Sequence, residues 1–157
     1  MIILPANPSQ LDIVETITRQ TIAAIYPRYY PAGAAAFFQA HHSRERIADD
    51  LTAGLVYLAM DGDTSVGTVT LHGNEIGRLF VLPQHQGRGA GRLLMQFAEE
   101  TLFARHDTIV LHASLPAKRI YLKHGYREAA YHILETDNGD FLCYDEMVKQ
   151  RPKEADR

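Results

Sequence analysis

The segment Gln86–Leu94 reads QGRGAGRLL and follows the apolar run Ile76–Leu82, IGRLFVL. Gly87, Gly89 and Gly91 alternate with Arg88 and Ala90, and Arg92 follows directly. A strand that passes through such a turn into a helix presents unpaired backbone N–H groups and the positive end of the helix dipole. Glycines, lacking Cβ, let a phosphate come close to the main chain, and Arg88 and Arg92 add charge-assisted donors. The chemistry that fits is therefore phosphate binding. Spacing then separates the phosphate ligands. A nucleoside-triphosphate loop needs G-x-x-x-x-G-K-[ST], and the segment has no Gly-Lys pair. A dinucleotide fingerprint, G-x-G-x-x-G, needs glycine at Arg92 or Leu94. Both fail, which leaves another phosphorylated ligand or a glycine-rich turn with no ligand.

The spacing that does fit is Q-x-x-G-x-G, filled by Gln86, Gly89 and Gly91 shortly after a strand ending at Val81. This resembles motif A of the GNAT superfamily, the GCN5-related N-acetyltransferases, whose loop cradles the pyrophosphate of acetyl-CoA. Leu111–Tyr126, LHASLPAKRIYLKHGY, resembles motif B of the same superfamily, with Ala117 four residues before Tyr121 and Gly125-Tyr126 at the end. The resemblance covers nearly the whole chain. It implies an α+β GNAT fold: a mixed, mostly antiparallel central sheet of about seven strands, splayed between the fourth and fifth, with about four to five flanking helices. It also implies contacts to acetyl-CoA from Leu79, Phe80, Val81, Gln86, Gly87, Arg88, Gly89, Ala90, Gly91, Arg92, Ser114, Lys118 and Tyr121. Ser114 departs from the pattern, because many members carry asparagine there.

The implied reaction is acetyl transfer from acetyl-CoA to an amine by direct attack in a ternary complex. An alkylamine with pKa ~10.4 is only about one part in a thousand free base near neutral pH, so a base helps. Glu75, at the start of the fourth strand, stands where the histone-acetyltransferase branch places its catalytic glutamate. If buried, it would have a raised pKa; the alternative is a solvated residue that only begins the strand. A bulge expected at Leu79-Phe80-Val81 frees the Val81 N–H to face the thioester oxygen, and the same edge can pair with the pantetheine amides. Tyr121 becomes the donor toward the leaving sulfur, or else a packed helix tyrosine.

Other residues have less specific readings. Tyr29 and Tyr30, in a proline-bounded loop, either line the acceptor pocket or pack. His112, at the end of a strand near the thiol, either assists proton transfer or is structural. His41 and His42 are adjacent on a helix, so their side chains point ~100° apart and cannot share one metal. No metal is expected. Glu99 and Glu100 read as a solvent face.

These residues need elements to position them. Asn7-Pro8-Ser9-Gln10 carries a helix-start signature, and Leu11, Val14, Ile17, Ile22 and Ile25 recur at helical spacing until Tyr26-Pro27. Helical segments follow at Ala34–Ala40 and after Ser43, the latter stopped at Gly54. The period then changes to that of strands: Leu55–Met60, Ser65–Leu71 and Glu75–Leu82, turned at Asp61-Gly62 and Gly73-Asn74. A helix through Leu94–Leu102, a buried strand Thr108–His112 and a short helix Pro116–Lys123 come next. Strands Glu128–Glu135 and Phe141–Val148 close the chain across Asp137-Asn138-Gly139.

The chain has 157 residues, one cysteine and a formal net charge of −3. Length and patterning predict one domain over 1–150, which the resemblance implies is an acetyltransferase domain, and a disordered tail over 151–157. The charge argues against a nucleic-acid partner, and no apolar run reaches membrane-spanning length. A cytoplasmic monomer or homodimer is expected, with a small-molecule amine or a peptide as acceptor. A non-catalytic acyl-CoA-binding or sensing module is the alternative from another class.

Overall fold

The structure, a computed structural model, describes residues 1–153. Its elements run β1 (Ile2–Pro5), α1 (Leu11–Ile25), α2 (Ala32–His41), α3 (Arg44–Thr52), β2 (Val56–Asp61), β3 (Thr64–His72) and β4 (Glu75–Val81). Then come α4 (Ala90–Phe103), β5 (Thr108–Ala113), α5 (Leu115–Lys123), β6 (Arg127–Glu135) and β7 (Phe141–Gln150). The seven strands form one sheet in the order β1-β2-β3-β4-β5-β7-β6. Every neighbouring pair is antiparallel except β4–β5, which is parallel. The mixed, mostly antiparallel sheet is thus the one expected.

Local chemistry sets the helix ends. The Asn7 side chain accepts from the Ser9 N–H at 3.0 Å while Gln10 Oε1 accepts from the Asn7 N–H at 3.0 Å, a reciprocal cap before α1. Ser43 Oγ accepts from the Arg46 N–H and starts α3. The strand alternation then splits the core between the two faces of the sheet. Val56 and Leu58 of β2 pack with Val14, Ile17 and Ile22 of α1 and Ile47 and Leu51 of α3. Ala59, one residue on, joins Leu94, Met95 and Ala98 of α4 on the other face.

β4 and β5 pair only at Glu75–Val110 and Ile76–Leu111. Asn74 pins this junction, accepting from the Val110 N–H and donating its side-chain amide to the Thr108 carbonyl, each at 3.0 Å. Past Ile76 the two strands part, and the sheet opens as a V.

Three expectations are corrected. The β4 bulge comes earlier than Leu79-Phe80-Val81: Arg78 and Leu79 stand where the partner strand offers only Val69. β5 alternates instead of being buried on both faces, because its pairing with β4 ends and one face looks into the opening. Ile109, Leu111 and Ala113 are buried, whereas His112 is exposed. Glu99 is no solvent residue; its largely buried carboxylate holds Lys149 of β7 at 2.8 Å. Of the segment expected to be disordered, 154–157 lies outside the described residues, and the Arg151 N–H donates to the Asp107 carbonyl at 2.7 Å. Among the described residues no helix is long and apolar enough to cross a membrane.

Candidate active site

The V between β4 and β5 is the floor of a cleft of about 1230 Å³, bounded by α1–α3 on one side and by the glycine turn, α4 and α5 on the other. On the β4 edge, the Leu82 N–H donates to the Val66 carbonyl at 2.9 Å. In an antiparallel ladder the preceding residue then turns its N–H the other way, so Val81 aims its N–H into the cleft. The Val81 carbonyl on the same side is already used, accepting from the Gln86 side-chain amide at 2.9 Å and from the Thr21 hydroxyl at 3.2 Å. Gln86 therefore anchors the glycine turn to the end of the strand.

Gly87 and Gly89 take φ of 75° and 93°, a left-handed backbone that glycine adopts without strain. Gly89 is the N-cap of α4, and the first intrahelical bond runs from the Leu93 N–H to the Gly89 carbonyl at 3.0 Å. The N–H groups of Ala90, Gly91 and Arg92 thus have no partner within the helix. A Cβ built on Gly87 or Gly89 would meet nothing within 4 Å, so the glycines are there for the backbone path and for open access to it. With Arg92 beside it, this cradle suits a pyrophosphate.

At the closed end of the V, Glu75 Oε1 lies 3.1 Å from His112 Nδ1, and His112 Nε2 lies 3.7 Å from Glu146. Of the two readings of Glu75, the fold does not provide the buried carboxylate of raised pKa. Its side chain is 42% exposed, and the hydrogen bond from His112 holds its pKa below the ordinary carboxylate value. Reciprocally, Glu75 holds the His112 imidazole above its ordinary value. Tyr121 is buried on α5, with its ring 5.9 Å from that of Tyr126, and burial pushes its phenol up to about 12. It is a neutral donor throughout the physiological range.

The other half of the cleft is aromatic. Tyr26, Phe38 and Phe80 pack edge to face or tilted, and His42 sets its ring across Phe80 at 5.5 Å. Burial, helped by the positive charges of Arg78 and Arg46, drives His42 down to about 3, so it is neutral. α2 roofs this half. The Gly33 N–H at its start donates to Asp140 of the β6–β7 hairpin at 2.8 Å. A Cβ on Gly33 would fall 2.0 Å from the Asn138 side chain, so only glycine permits that approach.

Glu75, Leu79, Phe80, Val81, Gln86, Gly87, Gly89, Gly91, Arg92, His112, Ser114, Tyr121 and Tyr29 all border this cleft. Four others from the sequence reading do not. Arg88 points out to solvent, and Ala90 turns its methyl into the core. Lys118 is engaged by Glu128 at 2.6 Å and Asp145 at 3.0 Å. Tyr30 is buried; its hydroxyl accepts from the Leu115 N–H at 2.7 Å and steadies the start of α5. Ser114, the N-cap of α5, makes no side-chain capping bond.

The sequence reading missed Arg78. It occupies the bulge with φ 42°, the one non-glycine residue of positive φ among those described, at a cost of about 1–3 kcal/mol. Its buried guanidinium donates through Nη1 to Asp50 Oδ2 at 2.7 Å and to the Thr70 hydroxyl at 3.0 Å. Asp50 Oδ1 in turn lies 3.0 Å from His72 Nε2. The available signal was a lone arginine inside the apolar run IGRLFV.

Comparison with known proteins agrees with this geometry. A family model described as an acetyltransferase (GNAT) domain matches residues 18–142. A search of curated proteins found no match. Among solved structures, a GCN5-related N-acetyltransferase from Rhodopseudomonas palustris superposes with a TM-score of 0.86 at 24% identity, covering 96% of this chain and 95% of that one. The PaiA N-acetyltransferase of Thermoplasma acidophilum, in complex with coenzyme A, gives 0.70 at 17% identity over 96% and 98%. The ribosomal-protein-S18-alanine N-acetyltransferase of Escherichia coli gives 0.70 at 17% over 98% and 96%. At these identities the structural likeness is one of fold.

Proposed function

The chain belongs to the GNAT acetyltransferase family, and from that premise we propose that it transfers an acetyl group from acetyl-CoA directly to the amine of a small molecule. The observation that carries this reading is the splayed β4 edge. The free Val81 N–H lies on the same edge as a glycine turn whose backbone N–H groups are open. Acetyl-CoA supplies an activated thioester; the Ala90–Arg92 N–H groups and Arg92 would hold its pyrophosphate, and the β4 edge its pantetheine amides.

The chain's own groups then divide the work. The Val81 N–H takes up charge that develops on the thioester oxygen, a contact worth roughly 10²–10³ in rate. The Glu75–His112 pair receives the proton of the attacking amine, directly or through water. Tyr121 donates a hydrogen bond that strengthens as sulfur gains charge. Tyr26, Tyr29, Phe37 and Phe38 wall the acceptor half, with α2 tied at its start to the β6–β7 hairpin, and this aromatic wall favours a small amine over a peptide.

The test is mass-spectrometric identification of N-acetylated products from a panel of amines with acetyl-CoA. An N-acetyl product formed in step with free CoA supports the enzyme. Tight acetyl-CoA binding without product from any amine would support a sensing module and overturn the proposal.

A further inference from the structure

Building on the acetyl-transfer reading, we infer that Arg78 is a positioning residue whose tethered side chain fixes the β4 bulge and thereby aims the Val81 N–H at the thioester. Before the bulge, Thr70, Leu71 and His72 face Gly77, Ile76 and Glu75; after it, Gly67 and Thr68 face Val81 and Phe80. The Leu71 N–H donates to the Leu55 carbonyl on the β2 side. Thr70 and His72 therefore turn their N–H groups toward β4, and opposite them Gly77 and Glu75 turn theirs toward β3. Carried forward without interruption, that parity would send the Val81 N–H into β3 as well. The extra residue reverses it and points the Val81 N–H into the cleft.

The residue type at the bulge is the second observation. A left-handed φ of 42° favours glycine, yet the position holds an arginine with its guanidinium buried. That side chain ties the bulge to two separate elements, Asp50 of α3 at 2.7 Å and Thr70 of β3 at 3.0 Å. Its Nε has no partner, so the two Nη1 bonds locate the group. Without this tether the extra residue is free to be expelled from the ladder, and its loss restores the uninterrupted parity that turns the Val81 N–H into β3.

The test uses Arg78→Gly, which suits the backbone and removes the tether. The variant is expected to keep its acetyl-CoA Kd and its acceptor KM within about threefold while kcat falls about 10²-fold, the scale of a lost oxyanion donor. With ¹⁵N-valine labelling, the Val81 amide of the wild type moves downfield on saturation with acetyl-CoA, and that of Arg78→Gly does not. Turnover and a Val81 shift unchanged in the variant would overturn the tether while leaving the acetyl-transfer reading intact. So would a raised acceptor KM at unchanged kcat, since Arg78 would then be an acceptor contact. A wild type with neither turnover nor a Val81 shift would remove the reading on which the inference rests. Should Arg78→Gly lose its circular-dichroism melting transition, the near-isosteric Asp50→Asn replaces it, with a kcat loss of about tenfold or more expected at unchanged acetyl-CoA affinity.

Discussion

Replacing Tyr121 by phenylalanine removes one hydroxyl from the cleft and leaves the ring against Tyr126. Burial pushes the Tyr121 phenol up to about 12, against about 8.5 for an ordinary thiol, so full proton transfer to the leaving thiolate is uphill by roughly 5 kcal/mol. In the proposed reaction the phenol would therefore act by hydrogen bonding. A hydrogen bond to a charged partner contributes about 1.5–3 kcal/mol, which converts to a loss of roughly 10–150-fold in kcat for Tyr121→Phe. A neutral thioester sulfur accepts weakly, so acetyl-CoA affinity changes little. Thiol release followed with both substrates saturating gives kcat, single-turnover mixing isolates the chemical step, and calorimetry gives Kd. A phenol that titrates near 12 also produces no falling limb in the rate below about pH 10. Wild-type turnover in Tyr121→Phe, or a limb near pH 9 that vanishes in it, would refute this account of the proton.

Gly89→Val should weaken acetyl-CoA binding by about 10²-fold or more, because a β-branched residue resists φ 93° and distorts the cradle. Nothing lies within 4 Å of its Cβ, so a cooperative melt should survive; unchanged affinity in a titration would exclude the cradle. Glu75→Gln should lower the His112 midpoint, read by NMR titration, from above 6.5 toward or below it. The sign follows from the pair. Its mutual stabilisation is lost as pH falls through the depressed Glu75 value or rises through the elevated His112 value, and an unmoved midpoint contradicts the coupling. The same variant should lose roughly 10²-fold in rate with alkylamines near pH 7 and less at pH 9, where more free base is present. Gly33→Ala drives a methyl into Asn138 and Thr136 and should cost about 1–3 kcal/mol, lowering Tm by roughly 2–10 °C. It should raise acceptor KM more than acetyl-CoA Kd, and the reverse order would remove α2 from the acceptor site.

What was legible in the sequence follows from how local each signal is. The glycine turn, the cap at Asn7 and the hairpin at Asp61-Gly62 are written in adjacent residues, and the strand and helix periods around them could be read directly. The V between β4 and β5 came from family resemblance, since no run of residues encodes where two distant strands part. Side-chain partners were hidden for the same reason. Lys118 and Tyr30 looked available, but Asp145 and Leu115, brought in by the fold, claim them. The sequence left Glu75 between a buried carboxylate of raised pKa and a solvated one, and neither reading contained His112, 37 positions later, whose donor lowers the pKa. Arg78 was passed over because a bulge is a property of two strands, visible only in their register.

The central claim is that the turn Gly87–Arg92 and the free edge of β4 hold acetyl-CoA by its pyrophosphate and pantetheine. Calorimetric titration of the wild-type protein with acetyl-CoA and with S-acetylpantetheine, which lacks the pyrophosphate, tests it directly. Saturable one-to-one binding of acetyl-CoA, at least about 10²-fold tighter than S-acetylpantetheine, is the predicted result. No binding of acetyl-CoA, or equal affinity for the two, would contradict the account.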